Sequence, residues 1–253
     1  MKTEMRAVFT AFGLVSSLFA LPAVATPLLV AQYDFNNNLN SSVGGAPALV
    51  ATDPTNVASF STDTVNGNSQ TVYNFGGAAV PTDQQGGLTF TNGLISSGAG
   101  YSIDLTFKLN EGNNAWRRIV DVQGRQSDNG FYLDPSNLLD IFPITAGGNA
   151  FTTGEYHNVL LTVSNGIASA FLDGVQSFAI PTNVMDLAIG DSVNLFLDNV
   201  IGGGQGEWSS GSIASARFFS LTPNSVPEPG TWALTIVGFA ALRRLRSQIT
   251  KIS

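Results

Sequence analysis

The sequence predicts an all-β fold, an antiparallel β-sandwich or jelly roll, and three observations support that prediction. Short apolar runs with a period of two recur along the chain, each bounded by Gly, Asn, Asp, Pro or Ser. No amphipathic stretch of helical period separates these runs. No repeat of fixed length is visible either, which argues against a propeller or a solenoid. A chain of 253 residues with 43% hydrophobic residues can bury one sizeable core of this kind.

The first 25 residues have the parts of a secretory signal peptide. Lys2 and Arg6 precede an apolar run at residues 7–21, and the AVA at 23–25 has the small-x-small form of a cleavage site. The run is shorter than the roughly 20 residues that a membrane-spanning helix needs. We therefore predict export, with an N-terminal signal helix, residues 1–25, that signal peptidase removes.

Several segments between the two terminal signals have the pattern of β-strands. The clearest is Tyr101 to Leu109, "YSIDLTFKL", in which every odd-numbered residue is apolar or aromatic and every even-numbered residue is polar. A three-strand meander is predicted over 156–180, because Asn165-Gly166 and Asp173-Gly174 are hairpin turn pairs between alternating runs. The other predicted strands are residues 29–35, 71–75, 118–122, 130–133, 138–141, 193–198 and 212–220.

Three segments of the body resemble one superfamily of jelly rolls. "YDFNNNLNSSVGG" looks like the first strand and loop of laminin G-like, concanavalin A-like domains, "GEYHNVLLTVSNGIASAFLDGV" resembles their central hairpin, and "EWSSGSIASARFFSLTPNS" resembles their closing strand. The resemblance implies two curved antiparallel sheets that bind sugars or proteins, with a calcium ion on the rim in some members. Members range from lectins to glucanases, so the fold alone does not choose an activity.

The C-terminal segment, residues 225–253, has three parts. A Pro-Glu-Pro motif precedes an apolar run at 232–242, and a basic cluster follows that run. The residues concerned are Val226, Pro227, Glu228, Pro229, Arg243, Arg244 and Arg246. The pattern resembles a PEP-CTERM sorting signal of Gram-negative bacteria that make extracellular polysaccharide. The resemblance implies cleavage by a membrane-embedded exosortase near the motif, then release or attachment at the cell surface.

The physical properties of this segment agree with a membrane helix that tethers the chain to the inner membrane before processing. Arginines that follow an apolar run stay on the cytoplasmic side of a membrane. The run at 232–242 is shorter than a full span. The predicted organisation is a signal peptide at 1–25, a laminin G-like β-sandwich at 26–224 and a sorting signal at 225–253.

Charge and composition exclude several function classes. Between residues 26 and 230 the chain has five basic and seventeen acidic residues, a formal charge of −12. A body this acidic repels nucleic acid and anionic lipid, and it suits neutral sugars, cations or basic partners, although solubility alone would also account for it. The absence of cysteine excludes disulfides, thiolate zinc sites and cysteine nucleophiles.

The acidic residues do not form the pattern of a sandwich glucanase. Such an enzyme needs two carboxylates that face one cleft. The only glutamates before the sorting motif and after the signal are Glu111, Glu155 and Glu207, and none has another carboxylate two positions away. The single histidine, His157, has no legible triad spacing. We therefore predict that the protein is not an enzyme.

A metal site is predicted on ligand type. The segment Asp34-x-Asn36-x-Asn38 begins like a calcium loop, but Leu39 and Gly45 occupy the positions where an EF-hand needs Gly and Glu. Irregular loops rich in carboxylate and amide oxygens suit a structural calcium ion on a sandwich rim, and a pair of ordinary turns is the alternative. The candidate ligands are Asp128, Asn129, Asp198, Asn199 and Glu207.

Two tryptophans are candidate ligand-binding residues. Trp116 and Trp208 are the only tryptophans between the two terminal signals, and each is next to charged or polar residues. Either ring could stack on a sugar in a shallow groove, and a core or sheet-edge position is the alternative.

These observations give one main hypothesis for function. The chain is an exported, exosortase-sorted protein of the cell envelope or extracellular matrix that acts as a non-catalytic binding or structural module. Its predicted partners are exosortase and signal peptidase during export, and extracellular polysaccharide or a surface protein afterwards, with no nucleic acid. The alternatives are a glycoside hydrolase of concanavalin-like fold and a purely structural surface protein.

Overall fold

Every regular element in the described part of the chain is a β-strand, as the sequence predicts. A computed structural model of the chain describes residues 26–77, 84–91, 93, 95, 100–110, 115–187, 191–201 and 206–222, which belong to the unit Ala25–Pro223. The predicted signal helix and the sorting segment, with all its motif residues, lie outside these ranges. None of the described elements is a helix of the length and hydropathy that would cross a membrane.

Fifteen strands are found among the described residues. They are β1 (Thr26–Tyr33), β2 (Val50–Thr52), β3 (Ser59–Val65), β4 (Asn68–Phe75), β5 (Gly87–Thr91), β6 (Tyr101–Leu109), β7 (Arg117–Asp121), β8 (Gly130–Leu133), β9 (Leu138–Phe142), β10 (Thr145–Ala150), β11 (His157–Ser164), β12 (Ile167–Leu172), β13 (Val175–Pro181), β14 (Ser192–Leu195) and β15 (Gly211–Thr222).

The strands form two antiparallel sheets that make a sandwich. The first sheet has eight strands in the order β13-β12-β11-β6-β15-β4-β3, and β1 also pairs with β15. The second sheet has seven strands in the order β10-β9-β8-β7-β14-β5-β2. Sequential neighbours such as β11, β12 and β13 are joined by hairpins, whereas β6 and β15 pair across about half the chain.

The predicted meander is confirmed, with its turns where the sequence placed them. Asn165, Gly166, Asp173 and Gly174 all have positive φ angles, between 50° and 78°. Two consecutive residues of positive φ make the type I′ turn, whose twist matches that of the flanking strands. The local sequence therefore fixes the register of β11, β12 and β13.

The core lies between the two sheets and contains stacked aromatic pairs. Phe218 of β15 stacks on Phe90 of β5 with ring centroids 4.3 Å apart, and Phe75 of β4 stacks on Phe196 at 4.2 Å. Phe90 belongs to the second sheet and Phe196 directly follows its strand β14, so each pair joins the first sheet to the second side of the sandwich. All four rings are at most 4% exposed, so they contribute much of the apolar area that stabilises the sandwich.

The polar face of β6 is more buried than its alternation predicts. Ser102 and Asp104 are less than 10% exposed, although they point away from the core. β6 is a central strand, and neighbouring side chains cover it: Arg217 of β15 and Asn158 of β11 both donate hydrogen bonds to the Asp104 carboxylate, at 2.6 Å. The outward face of the first sheet is therefore polar and hydrogen-bonded around Asp104, while Val65, Val72 and Ala214 form a small apolar cluster elsewhere in this sheet.

A β-bulge in β15 divides the first sheet. Before the bulge, Gly211–Ile213 pair with β4, and after it the strand pairs with β1 from Ala216 onwards. The register of β15 on β6 shifts between Ile213 and Ser215. A bulge adds one unpaired residue and bends the strand. β4 and β1 therefore meet the same edge of β15 at different places.

Candidate functional site

A fully buried arginine organises the outward face of the second sheet. The guanidinium of Arg118 donates a hydrogen bond to the Asp121 carboxylate at 2.9 Å and to the Ser127 carbonyl at 3.0 Å, and its Nε lies 3.3 Å from an Asp198 oxygen. It also contacts the Tyr132 hydroxyl and lies over the Tyr132 ring, 4.7 Å from its centroid. We call these residues the arginine centre.

The polar network continues along the sheet from the arginine centre. Asn194 of β14 donates to Asp121 at 2.9 Å, and Thr89 of β5 donates to the Asn194 side-chain oxygen at 2.8 Å. Because Asp121 and Asn194 are buried, each hydrogen bond offsets the desolvation of their polar atoms. The network therefore fixes how β5, β14 and β7 lie together.

The loop after β7 and the loop before β15 meet over this network and bring most of the predicted metal ligands together. One carboxylate oxygen from each of Asp128, Asp198 and Glu207 lies within 4.8 Å of the others. Asn199 donates a side-chain hydrogen bond to Asp128 and so lies at the edge of the cluster. Asn129 is next to Asp128 in the chain, but its described bond is from its own backbone N–H to Ser127.

The electrostatics of this carboxylate cluster fit a cation. Burial, and then the Asp198 carboxylate beside it, raise the pKa of Glu207 to about 8. The Oε2 atom of Glu207 is buried and accepts no hydrogen bond from any described residue. A hard cation such as Ca²⁺ takes carboxylate and amide oxygens of this kind, so the donor set is suitable for calcium.

The same pair of carboxyls does not have the geometry of a glycosidase. The Glu207 backbone N–H donates to the Asp198 carboxylate at 3.4 Å, and carboxylate oxygens of the two residues lie within 4.8 Å of each other. Retaining and inverting glycosidases hold their carboxyls about 5 to 9.5 Å apart, so that the scissile bond fits between them. Asp198 is also 1% exposed and is paired with Arg118. A sugar could not enter between these two groups without displacing the pair.

A second group of residues on the same outward face combines aromatic rings with a carboxylate. Trp116 packs edge-to-face against Tyr132 and Phe142, with centroids 5.7 and 5.5 Å apart. Asp140 lies directly opposite Tyr132 in the register of β8 and β9, two residues before Phe142, and so shares their face. We call Trp116, Tyr132, Asp140 and Phe142 the aromatic site.

Asp140 is an unusual member of the aromatic site. It is 7% exposed, and its carboxylate makes no hydrogen bond or ion pair with any residue that the structure describes. Burial, and then the nearby Asp134 carboxylate, raise the pKa of Asp140 to about 6. A carboxylate with little access to water and no protein donor is poorly solvated, so the site is suited to a ligand that brings hydrogen-bond donors.

Trp208, the other predicted ligand-binding tryptophan, lies elsewhere. It is half-buried, it follows Glu207 in the chain, and its Cβ lies against the backbone of Gly77. The described ring contacts place it in no aromatic group. Its role as a ligand-binding residue stays a prediction.

His157 has contacts that account for it structurally. Its Nδ1 lies 2.7 Å from an Asp173 oxygen, its Nε2 lies 3.1 Å from the Thr152 carbonyl, and its ring packs on Phe151. These contacts tie the start of β11 to the turn after β12. Neither partner is a nucleophile that the histidine would activate.

Comparisons with known proteins concern the fold. No protein-family model and no curated protein matches the sequence. Among solved structures, domain 4 of AbnA, a GH43 extracellular arabinanase from Geobacillus stearothermophilus solved with arabinotriose, has a TM-score of 0.53 and 21% identity, over 79% of this chain and 97% of that one.

Botulinum neurotoxin chains are also similar. A chain of botulinum neurotoxin type C, whose cell entry depends on interaction with two ganglioside molecules, is one of them. It has a TM-score of 0.52 and 12% identity, over 78% of this chain. The binding domain of neurotoxin DC in complex with SialylT has a TM-score of 0.51 and 11% identity. This chain spans 48% of each of those chains. At these identities the likeness shows the β-sandwich fold.

The arginine centre and Asp140 are features of the candidate site that the sequence patterns did not single out. The sequence signal was the Arg-Arg pair in "WRRIVD", two charges at the start of a strand that continues with the apolar Ile119 and Val120 and ends at Asp121. Asp140 gave no signal, because a lone aspartate near a strand end is common in turns.

Proposed function

We propose that this chain is an exported, non-catalytic glycan-binding module of the cell envelope or extracellular matrix. The observation that carries the proposal is the aromatic site. A sugar ring has apolar C–H faces that stack on aromatic rings and hydroxyls that donate hydrogen bonds. Trp116 supplies the first kind of contact and the buried Asp140 carboxylate supplies an acceptor for the second. The acidic body favours a neutral sugar over an anionic one.

The similar domains support this proposal by analogy. The arabinanase domain is in complex with arabinotriose, cell entry of the type C neurotoxin depends on two ganglioside molecules, and the DC binding domain is in complex with SialylT. A shared β-sandwich does not transfer a ligand, so the analogy supports only the class of partner. It also agrees with a binding role in preference to catalysis, as does the contact between Glu207 and Asp198.

The route to the surface belongs to the same proposal. Signal peptidase removes residues 1–25, and exosortase processes the chain near Pro227-Glu228-Pro229, with the segment at 232–242 in the inner membrane until then. The acidic, cysteine-free body and the three-part tail support this route. The module then acts on extracellular polysaccharide, or on a surface protein that carries sugar.

Trp116→Ala should lower glycan affinity by about tenfold to a hundredfold, because it removes the stacking surface. The measurement is isothermal titration with arabinotriose, cellohexaose and laminarihexaose. Trp208→Ala is the matched control and should leave the affinity unchanged. Loss of binding in Trp208→Ala alone would move the site away from Trp116. No binding of any of the three sugars would contradict the proposed function and favour a purely structural surface protein.

We also propose that Asp128, Asp198 and Glu207, with Asn199 and Asn129 nearby, hold a structural calcium ion. The buried Glu207 oxygen accepts no hydrogen bond from any described residue, and the ion would compensate its negative charge instead. Adding calcium should raise the melting temperature by several degrees, and a chelator should reverse the rise. Glu207→Gln should abolish the effect, whereas Glu155→Gln, at an exposed position, should retain it. An unchanged melting temperature in calcium would contradict this site.

A further inference from the structure

A cleft opens on the outward face of the first sheet where β15 bulges. β4 and β1 pair with β15 on either side of the bulge, so the edge of β15 at Ala214 and Ser215 has no strand beside it. Two adjoining cavities of about 290 and 340 Å³ occupy this region and share Asp34 and Asn36. We call them the bulge cleft. Their volumes are those of sites that take small ligands.

The lining of the bulge cleft is mostly polar, and its apolar members are Val65, Ala214 and Phe35. Amides and hydroxyls line the larger cavity, from Asn36, Asn66, Asn68, Gln70, Thr106 and Ser215. The smaller cavity adds Asn38, Asn40, Ser41 and Ser42. Among the described residues that line either cavity there is no lysine or arginine, and Asp34 is the one carboxylate. Groups that both donate and accept hydrogen bonds match a ligand covered with hydroxyls and do not match an anion.

Hydrogen bonds within the protein fix the shape of the cleft, and some of its side-chain amides make no hydrogen bond with a described residue. Gln70 donates to the Ala214 carbonyl at 3.2 Å, which satisfies the backbone group that the bulge leaves unpaired. In the loop after β1, Asn38 donates to the Asn36 carbonyl at 2.8 Å and accepts from the Asn40 N–H at 2.9 Å. The side-chain amides of Asn36 and Asn66 make no hydrogen bond with any described residue. A preformed site of this kind loses little entropy on binding.

We propose that the bulge cleft is a second binding site for a neutral, hydroxyl-rich glycan chain. Its lining faces away from the core on the first sheet, whereas the aromatic site faces away from the core on the second. The two sites therefore lie on opposite faces of the sandwich. A module with a glycan site on each face bridges two polysaccharide chains, and its avidity for a polymer exceeds the affinity of either site.

The experiment measures stoichiometry as well as affinity, on protein purified from its native envelope. Titration with cellohexaose, laminarihexaose and arabinotriose should give two equivalents of bound sugar. The double variant Asn36→Ala/Asn68→Ala removes two exposed amides and should lose one equivalent, and Ser215→Tyr, which fills the cleft, should lose the same one. Asn183→Ala, an exposed asparagine in the turn after β13, is the matched control and should keep both. Trp116→Ala should lose only the other equivalent.

The outcomes separate this inference from the proposed function. If the cleft variants keep every equivalent, or if no probe gives binding that depends on the cleft, the inference is overturned. If the single equivalent of the wild type disappears in Trp116→Ala, the aromatic site stands and the cleft does not. If Trp116→Ala changes nothing while the cleft variants lose binding, the cleft stands and the aromatic site does not. If calcium rather than sugar binds in a cleft-dependent way, the ligand class is wrong and the inference fails.

Discussion

Arg118→Ala is expected to lower the free energy of unfolding by about 3 to 5 kcal/mol, the range for breaking a buried ion pair from one side. The side chain of Arg118 is fully buried and serves Asp121, Asp198 and Tyr132 together. Its removal takes the guanidinium away from two buried carboxylates, Asp121 at the end of β7 and Asp198 in the segment after β14. Each of them is at most 1% exposed, so water cannot replace the lost donors.

Urea denaturation of the variant and of Arg217→Ala tests this expectation. Arg217 also pairs with an aspartate, Asp104, but its side chain is 43% exposed, so its loss should lower the free energy of unfolding by under about 1 kcal/mol. Arg118→Lys keeps the positive charge, so its free energy of unfolding should fall less than that of Arg118→Ala. This variant can be measured even if Arg118→Ala does not fold. Equal losses in Arg118→Ala and Arg217→Ala would show that the centre contributes no more than a surface pair.

The strands that the sequence predicts best are those whose signal is local. β6 alternates over nine residues, and the meander of β11 to β13 has a turn pair at each reversal. In both cases the residues that decide the structure are neighbours in the chain. β2, β3, β5 and β10 were not predicted. β3, "SFSTDTV", is polar at most positions of both faces and lies at a sheet edge, so it has no clear apolar alternation.

The candidate site was predicted in part, and the reason lies in which contacts are local. Asp128, Asp198 and Glu207 could be named as oxygen ligands in loops, but only the sandwich brings their loops together. The Arg118–Asp121 pair was hidden for a different reason. Two residues three apart in a regular strand point to opposite faces, and a register shift between Arg118 and Val120 lets both point the same way.

The bulge cleft was hidden for the same reason as the arginine pair. Its amides come from the loop after β1 and from the turn and strand that follow β3, and a bulge in β15 opens the space between them. Bulges have no strong sequence signal when the extra residue is not glycine, and here it is Ala214. The buried arginine pair and the bulge cleft thus both depend on irregular strand pairing that periodicity cannot detect.

Asp140→Asn is expected to stabilise the protein by about 2 kcal/mol at pH 8 and to leave its stability nearly unchanged at pH 4. The pKa of Asp140, about 6 in the folded protein, is above its ordinary value of 3.8, so the folded state binds more protons between these values. The wild type therefore loses stability as the pH rises from about 4 through 6, and the uncharged asparagine does not. Urea denaturation at both pH values, with Glu155→Gln as an exposed control, measures the difference. If Asp140→Asn is no more stable than the wild type at pH 8, the charge of the Asp140 carboxylate is already balanced by its surroundings.

The same variant links stability to ligand binding. If Asp140 accepts hydrogen bonds from a sugar, the ligand supplies the donors that the folded protein lacks, and the pKa of Asp140 falls towards its ordinary value. Sugar should then stabilise the wild type more at pH 8 than at pH 4, and it should stabilise Asp140→Asn equally at both. Equal stabilisation of the wild type at the two pH values would place the sugar away from this carboxylate. The unfavourable burial of Asp140 would then have to be explained by something other than sugar binding at the aromatic site.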